Sequence, residues 1–461
     1  MSPLPLSPLE RHFEFLLARR KTRSLLRRIE DQPPPSVADF TSNDYLSLSS
    51  HPEITQNYLA YLTSAFSQSQ SQSQSQSQSQ SQSQSPSALT LGSTGSRLLS
   101  GHHPLAAHLE TLIPAHHNAP AGLLFTSGYD ANAALLSTLP QPGDVVLYDA
   151  LVHASAHDGM RLSRVAATGG LRRFAHNDPS ALAAALRALV AEDAGYAAGS
   201  RNVFVVVEAV YSMDGDVAAL RAMLDVVNAA LPAGNGYVIV DEAHATGVIG
   251  QGGRGLVCAE GLEPRVFARV VTFGKAVGAA GAIILCTPAT KQYLINYARP
   301  FIYTTAPSFP SLAAIKVVYD FLIRNRAEPL AAHLRHLHQT LSSSLSALIA
   351  SLAPPPALLS LSLPSQSVET SAPTYVTPIV PIFTQHPRAL AALVRKRGYV
   401  VRPIVAPTVP RGTERVRVCL HAGNSVDEVR GLVGAVGEWV RERMERGKGV
   451  KGEEERERAR L

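Results

Sequence analysis

The chain has 461 residues, 45% of them hydrophobic, with a formal net charge of +6 and three cysteines. That length and apolar content allow two or three domains with a sizeable core, and Cys258, Cys286 and Cys419 are too few and too scattered for a disulfide framework or a cysteine zinc site. No apolar run is long enough to span a bilayer, and no basic stripe with interleaved aromatics marks a nucleic-acid surface, so a soluble intracellular protein with anionic small-molecule ligands is expected.

In chain order, residues 9–30 mix Leu and Phe with Arg and Lys at helical spacing, an amphipathic arm ended by Pro33-Pro34-Pro35. The opening segment, with two prolines and no apolar core, is not expected to act as a secretory signal. The turn-rich Phe40–Leu46 stretch carries Asn43 and Tyr45, which could face a ligand. A helix is predicted over about 52–66, and the Ser-Gln alternation from Ser67 to Ser85 is predicted to be disordered, because it has no apolar residue to bury. Leu91–Gly101, with three glycines, small hydroxyl residues and one arginine, could expose backbone donors to an anion.

Leu123-Leu124-Phe125-Thr126 reads as a strand running into Ser127-Gly128-Tyr129 and an Ala/Leu helix. A strand, a glycine turn and a helix start form a phosphate cradle, since helix amino termini present unpaired N–H groups and a positive dipole end. Val145–Asp149 is another strand, followed by His153 and His157 at i, i+4. With no acid between them and no third ligand nearby, a ring stacked on a planar cofactor explains His153 better than zinc does. Val203–Val207 is nearly all β-branched, as is Val238–Val240 before Asp241-Glu242-Ala243-His244, and this pattern suits buried parallel strands. Gly250–Gly255 matches the dinucleotide fingerprint by letter but lies well past its strand, and no convincing helix follows.

The organising pair is Asp241 and Lys275, the latter in Val271-Thr272-Phe273-Gly274-Lys275. Taken alone, a loop lysine and a capping aspartate would be the ordinary reading. Emerging from neighbouring strand ends, however, they supply what pyridoxal phosphate requires: an amine for the aldehyde and a carboxylate that keeps the ring nitrogen protonated. A loop with Thr304 and Thr305 follows, and a helix from about 309 starts a second unit. Residues 353–375 read as a Pro/Ser-rich loop, and Tyr375–Phe383 and Arg415–Leu420 as strands, with helices near 386–397 and 426–445. Arg402, Arg415 and Arg417 lie near strand ends, where one could hold a carboxylate bidentately. The predicted organisation is an arm over 1–50, a large cofactor-binding domain over 51–305, a small C-terminal domain over 306–440 and a charged tail over 441–461.

The run of motifs, above all "GSTGSRLLSGHH", "DEAHATG", "TFGKA" and "VYSMDGD", resembles the α-oxoamine synthases. These are pyridoxal phosphate-dependent acyltransferases that join an amino acid to an acyl-CoA with loss of carbon dioxide. The resemblance spans most of residues 38–440 and is nearest to the branch that condenses pimeloyl-CoA with L-alanine in biotin synthesis. Branches using acetyl-, succinyl- or palmitoyl-CoA stay open. It implies an α/β chain of pyridoxal phosphate fold type I, aspartate aminotransferase-like, with a mostly parallel sheet in the large domain. Lys275 would be the Schiff-base lysine, Asp241 the partner of the ring nitrogen and His244 that of the phenolic oxygen, with His153 stacked on the ring. Ser127, Gly128, Tyr129 and Thr272 would hold the phosphate, and Thr304 and Thr305 would reach the cofactor of a second subunit in a homodimer. Arg417 would bind the amino-acid carboxylate, with Asn43 and Ser212 near the substrate. A fold type I aminotransferase would share Lys275 and Asp241, but the glycine-serine loop and "SMDGD" argue against it. A catalytically dead regulatory subunit would lack Lys275. The terminal Ala459-Arg460-Leu461 resembles a small-basic-Leu peroxisomal address, so peroxisomal or cytoplasmic placement is expected.

Overall fold

The computed structural model describes residues 6–23, 25–27, 29, 34, 36–76, 90–362 and 375–458, with the backbone alone for 69–76 and 447–458. The chain divides into two units, Met1–Val37 and Ala38–Leu461. The first contains the helix Pro8–Thr22, started by a capping box in which Ser7 and Glu10 bond each other's backbone N–H. Residues 38–50, placed in the arm by the sequence, belong to the second unit. Phe40, Tyr45, Leu46 and Leu48 there are fully buried, which a turn-rich stretch of mixed polarity did not announce.

The strands in chain order are β1 Ala38–Asp39, β2 Ala121–Phe125, β3 Val145–Asp149, β4 Leu171–Phe174, β5 Val203–Glu208 and β6 Gly236–Asp241. They continue with β7 Ala268–Thr272, β8 Ala282–Cys286, β9 Ile379–Phe383, β10 Tyr399–Val400, β11 Arg402–Ile404 and β12 Arg415–Cys419. Seven form one sheet in the order β2-β8-β7-β6-β5-β3-β4, parallel throughout except for β8, which runs against both neighbours. Side chains alternate between its faces. Val203, Val205 and Val207 join one core cluster, while Phe204 and Val206 join the other. Both faces are dry, so the strands read as continuous apolar runs rather than as alternation.

This topology collects the carboxyl ends of β2, β3, β5, β6 and β7 on one edge, where open α/β sheets bind ligands. A second, antiparallel sheet β11-β12-β9 lies among the helices Glu328–Leu352, Pro387–Lys396 and Val426–Arg458. β1 pairs in parallel with β10, and beyond it Phe40 O accepts from Cys419 N at 2.9 Å and Tyr45 O from Ala422 N at 2.8 Å. The 40–47 segment is thereby stitched to the end of β12.

The helix that begins at Pro52 does not stop at 66 but runs to Gln76, taking in Ser67–Gln76 of the tract predicted to be disordered. Extending a formed helix adds a hydrogen bond for each residue fixed without a new nucleation cost, and glutamine is a good helix former. A sequence too polar to start a helix can therefore continue one. Residues 77–85 of the tract, residues 363–374 of the Pro/Ser-rich loop and the terminal tripeptide 459–461 lie outside the described residues. No helix among the described residues is long and apolar enough to cross a membrane.

Candidate active site

Lys275 follows β7 by a short turn, and its Nζ lies 2.7 Å from His244 Nε2. Burial lowers the lysine pKa, the nearby carboxylates of Asp241 and Glu208 push it back up, and Arg417 lowers it further. Asp241 ends β6. Its Oδ2 accepts from Asn132 Nδ2 at 2.7 Å and its Oδ1 from Ala243 N at 2.9 Å. Asn132 also donates to Ser155 Oγ at 3.0 Å, and Ser155 Oγ is 2.8 Å from His153 Nδ1. The histidine and the strand-end aspartate are thus tied through Ser155 and Asn132. Burial lowers the His153 pKa against the pull of Asp241, which suits a neutral ring against a planar group.

Ser127 caps the helix Gly128–Thr138 by accepting from Asp130 N. Gly128 is required by close approach: a Cβ there would collide with Thr272 Oγ1 at the end of β7. The glycine turn, the helix start and the threonine hydroxyl therefore converge. Tyr129 is 45% exposed and its hydroxyl bonds Asp158, so its side chain turns outward from the cradle.

Arg417 in β12 is 8% exposed. Its guanidinium donates to Ser212 O at 3.1 Å and to Asn43 Oδ1 at 3.3 Å, while its Nε has no partner. The geometry separates the three candidate arginines. Arg415 is spent on a buried pair with Asp214 and on the face of Phe383, and Arg402 has its side chain exposed, whereas Arg417 is buried with its Nε unpartnered. Asn43 and Ser212 are brought together by it. The arginine of the glycine-serine loop, Arg97, is paired with buried Glu110 at 2.8 Å, so that loop's cation serves packing. The loop itself pairs with the Thr304–Thr305 segment through Ala306 N to Gly95 O at 2.9 Å. Thr305 is exposed and Thr304 half-buried, and among the described residues no hydrogen bond links them to Lys275 or its partners. His157 packs edge-on against Tyr148 instead.

Two residues of the site were not singled out from the sequence. Asn132 sits one turn into the helix, where an asparagine gives no local signal. Glu208 ends β5 directly opposite Asp241, is 4% exposed and leaves Oε1 unpaired. Burial raises its pKa well above the carboxylate range, and the Asp241 charge adds to this. An acid closing a β-branched run beside another such strand was the available clue.

Residues 38–436 match the model of the aminotransferase class I and II family. The chain belongs to that family. It is 45% identical over 432 residues to an 8-amino-7-oxononanoate synthase of Emericella nidulans, covering 93% of this chain and 95% of that protein. It is 35% identical over 436 residues to the aminoacyl transferase sphA of Aspergillus fumigatus, covering 94% and 87%. A solved serine palmitoyltransferase with pyridoxal phosphate superposes with a TM-score of 0.72 at 22% identity over 94% of this chain and 98% of that one, a likeness of fold. The chain is thus a pyridoxal phosphate-dependent enzyme of the acyltransferase type and of fold type I, as the resemblance to α-oxoamine synthases implied. The residues fit that cofactor: Gly128, without a Cβ, lets the Thr272 hydroxyl come up beside the start of the helix Gly128–Thr138, where an anion is favoured, and Asp241, His153 and Lys275 have the required chemistry around it.

Proposed function

We propose that this enzyme condenses an acyl-CoA with an amino acid, with release of CoA and carbon dioxide, and that the pair is pimeloyl-CoA and L-alanine, giving 8-amino-7-oxononanoate. One observation carries the reaction type: the lysine amine and a buried arginine whose Nε is unpartnered are the two ends of one hydrogen-bonded chain through His244, Tyr45 and Asn43. An α-amino acid offers matching groups, its carboxylate for Arg417 and its Cα proton for Lys275. The name of the Emericella nidulans relative supports the choice of substrates.

Ser127, Gly128, the backbone of Tyr129 and Thr272 would hold the cofactor phosphate, Asp241 its ring nitrogen, His153 its ring face and His244 its phenolic oxygen, with Ser212 beside the cofactor and substrate. When bound, pyridoxal phosphate supplies an electron sink for negative charge at the substrate Cα. Lys275, its amine made less basic by burial, takes the Cα proton and later returns one. Arg417 holds the carboxylate until it leaves as carbon dioxide, and Asn43 keeps the guanidinium oriented. Asn132 keeps the Asp241 carboxylate in place.

The working unit is a homodimer. The paired 91–101 and 303–306 loops display Leu91, Leu99 and Tyr303, which are 74%, 83% and 71% exposed, and a second copy would cover them.

The test is thiol release by the loaded enzyme from pimeloyl-, acetyl-, succinyl- and palmitoyl-CoA, each with alanine, glycine and serine. Release confined to pimeloyl-CoA with L-alanine establishes the reading. Preference for another pair moves the enzyme to a sister activity, and no release with any pair removes the condensation altogether.

A further inference from the structure

The hydrogen bonds between the lysine and the arginine hold a fixed number of protons. Lys275 Nζ is 2.7 Å from His244 Nε2, His244 Nδ1 is 2.7 Å from the Tyr45 hydroxyl, and that hydroxyl is 3.0 Å from Asn43 Oδ1. Asn43 Oδ1 also faces Arg417, so it only accepts. Tyr45 is fully buried and His244 is 4% exposed. Burial pushes the imidazole pKa well below its usual value, with Lys275 and Arg417 adding to this, and burial also raises the phenol. The ring therefore carries one proton and the hydroxyl one.

Two arrangements satisfy that count. In the first, the hydroxyl donates to Asn43 and accepts from Nδ1–H, which leaves Nε2 bare to accept from a Lys275 ammonium. In the second, the hydroxyl donates to Nδ1, and Nε2–H becomes a donor toward the space in front of it. Asn43 keeps Arg417 as a partner in both. A bare Nε2 cannot face an anionic oxygen, and an Nε2–H cannot face an ammonium.

We propose that Tyr45 is a positioning residue that sets the tautomer of His244, its hydroxyl turning from Asn43 to Nδ1 when an anionic oxygen of the cofactor replaces the Lys275 ammonium before Nε2. This rests on the reading above that His244 faces the phenolic oxygen. The hydroxyl is suited to the role because it both donates and accepts at one atom, which phenylalanine in the same volume could not do. Since Asn43 and Arg417 lie at the far end, the substrate-carboxylate group and the lysine share one proton arrangement.

Imidazole 15N shifts distinguish a protonated ring nitrogen from a bare one, and the His244 signals are identified by their loss in His244→Gln. In the full chain without cofactor, below the titration of Lys275, Nδ1–H is expected. With pyridoxal phosphate bound, Nε2–H is expected. Asn43→Ala removes the acceptor that holds the hydroxyl in the first arrangement, so the chain without cofactor should show a smaller share of Nδ1–H than the wild type does. In Tyr45→Phe the loaded enzyme loses the donor to Nδ1, and the pH midpoint of its visible absorbance should rise by about one unit, roughly tenfold. The proposal is overturned if the wild-type tautomer is the same in both states, or if Asn43→Ala leaves the Nδ1–H share of the chain without cofactor at the wild-type value. Failure of the underlying reading looks different: His244→Gln would then load the cofactor and titrate in the visible as the wild type does.

Discussion

The two ends of the site are built in different ways. At the lysine end, Thr272, Asp241 and Glu208 terminate adjacent strands of one sheet, and the pairing register alone sets Glu208 opposite Asp241. At the arginine end, Asn43, Ser212 and Arg417 come from three distant segments, none of them hydrogen-bonded neighbours in the large sheet. On the proposed reading the cofactor chemistry sits on the rigid sheet edge, where position follows from backbone geometry. On the same reading substrate recognition sits where separate segments meet outside the large sheet, so it can change without disturbing that sheet.

Lys275→Ala should give the largest effect. It removes the proton carrier, so kcat is expected to fall on the order of 10^4-fold in the thiol-release assay, with the shape of the protein unchanged by circular dichroism. Residual turnover near wild type would mean that the lysine end has been misread.

Arg417→Ala tests the other end by itself. An unpaired substrate carboxylate left buried costs roughly 3 kcal/mol, so kcat/KM for the amino acid should drop about 10^2-fold while cofactor absorbance and the KM for acyl-CoA persist. Arg402→Ala is expected to change none of these. Equal effects from both would erase the distinction drawn among the arginines.

Gly128→Ala forces a methyl group onto Thr272 Oγ1 and should weaken cofactor affinity about tenfold, as read by equilibrium dialysis. Adding Thr272→Ala should cost less than the sum of the two single changes, because the clash is then relieved.

The smallest effect concerns the loop that carries Ser212. His176 lies between Asp149 at 2.9 Å and Asp216 at 3.0 Å. Burial opposes its charge, but those two hydrogen bonds prevail and raise its pKa to about 10. The folded pKa is above the unfolded value near 6.5, so the stabilisation is complete below about pH 6.5 and is lost as pH rises through about 10. Urea unfolding across that window should show a decline of roughly 1–2 kcal/mol that His176→Gln flattens.

The unequal construction also explains what could be read beforehand. β5 and β6 were legible because strands buried on both faces must be continuously apolar, and an acid or lysine at such a run's end has few structural explanations. Lys275, Asp241 and the Ser127–Gly128 cradle followed from that logic together with the family resemblance. Among Arg402, Arg415 and Arg417, local sequence could not discriminate, because Asp214, which occupies Arg415, is about two hundred residues away. Asn132 escaped because its role depends on a strand far along the chain. Tyr45 was noticed as a residue facing a ligand, yet its partner His244 could not be inferred from spacing. The helical part of the Ser-Gln tract was misjudged because composition reports whether a segment can nucleate order, not whether its neighbour imposes it.

The stitching of residues 38–47 to the end of β12 bears on how the enzyme is made. A growing chain carries its lysine, its phosphate cradle and its strand-end carboxylates well before Arg417 emerges, while Asn43 and Tyr45 must wait for a segment some 370 residues later. Pairing across so wide a separation is entropically slow, so it is expected to come late in synthesis, after the sheet edge that carries Asp241 and Lys275.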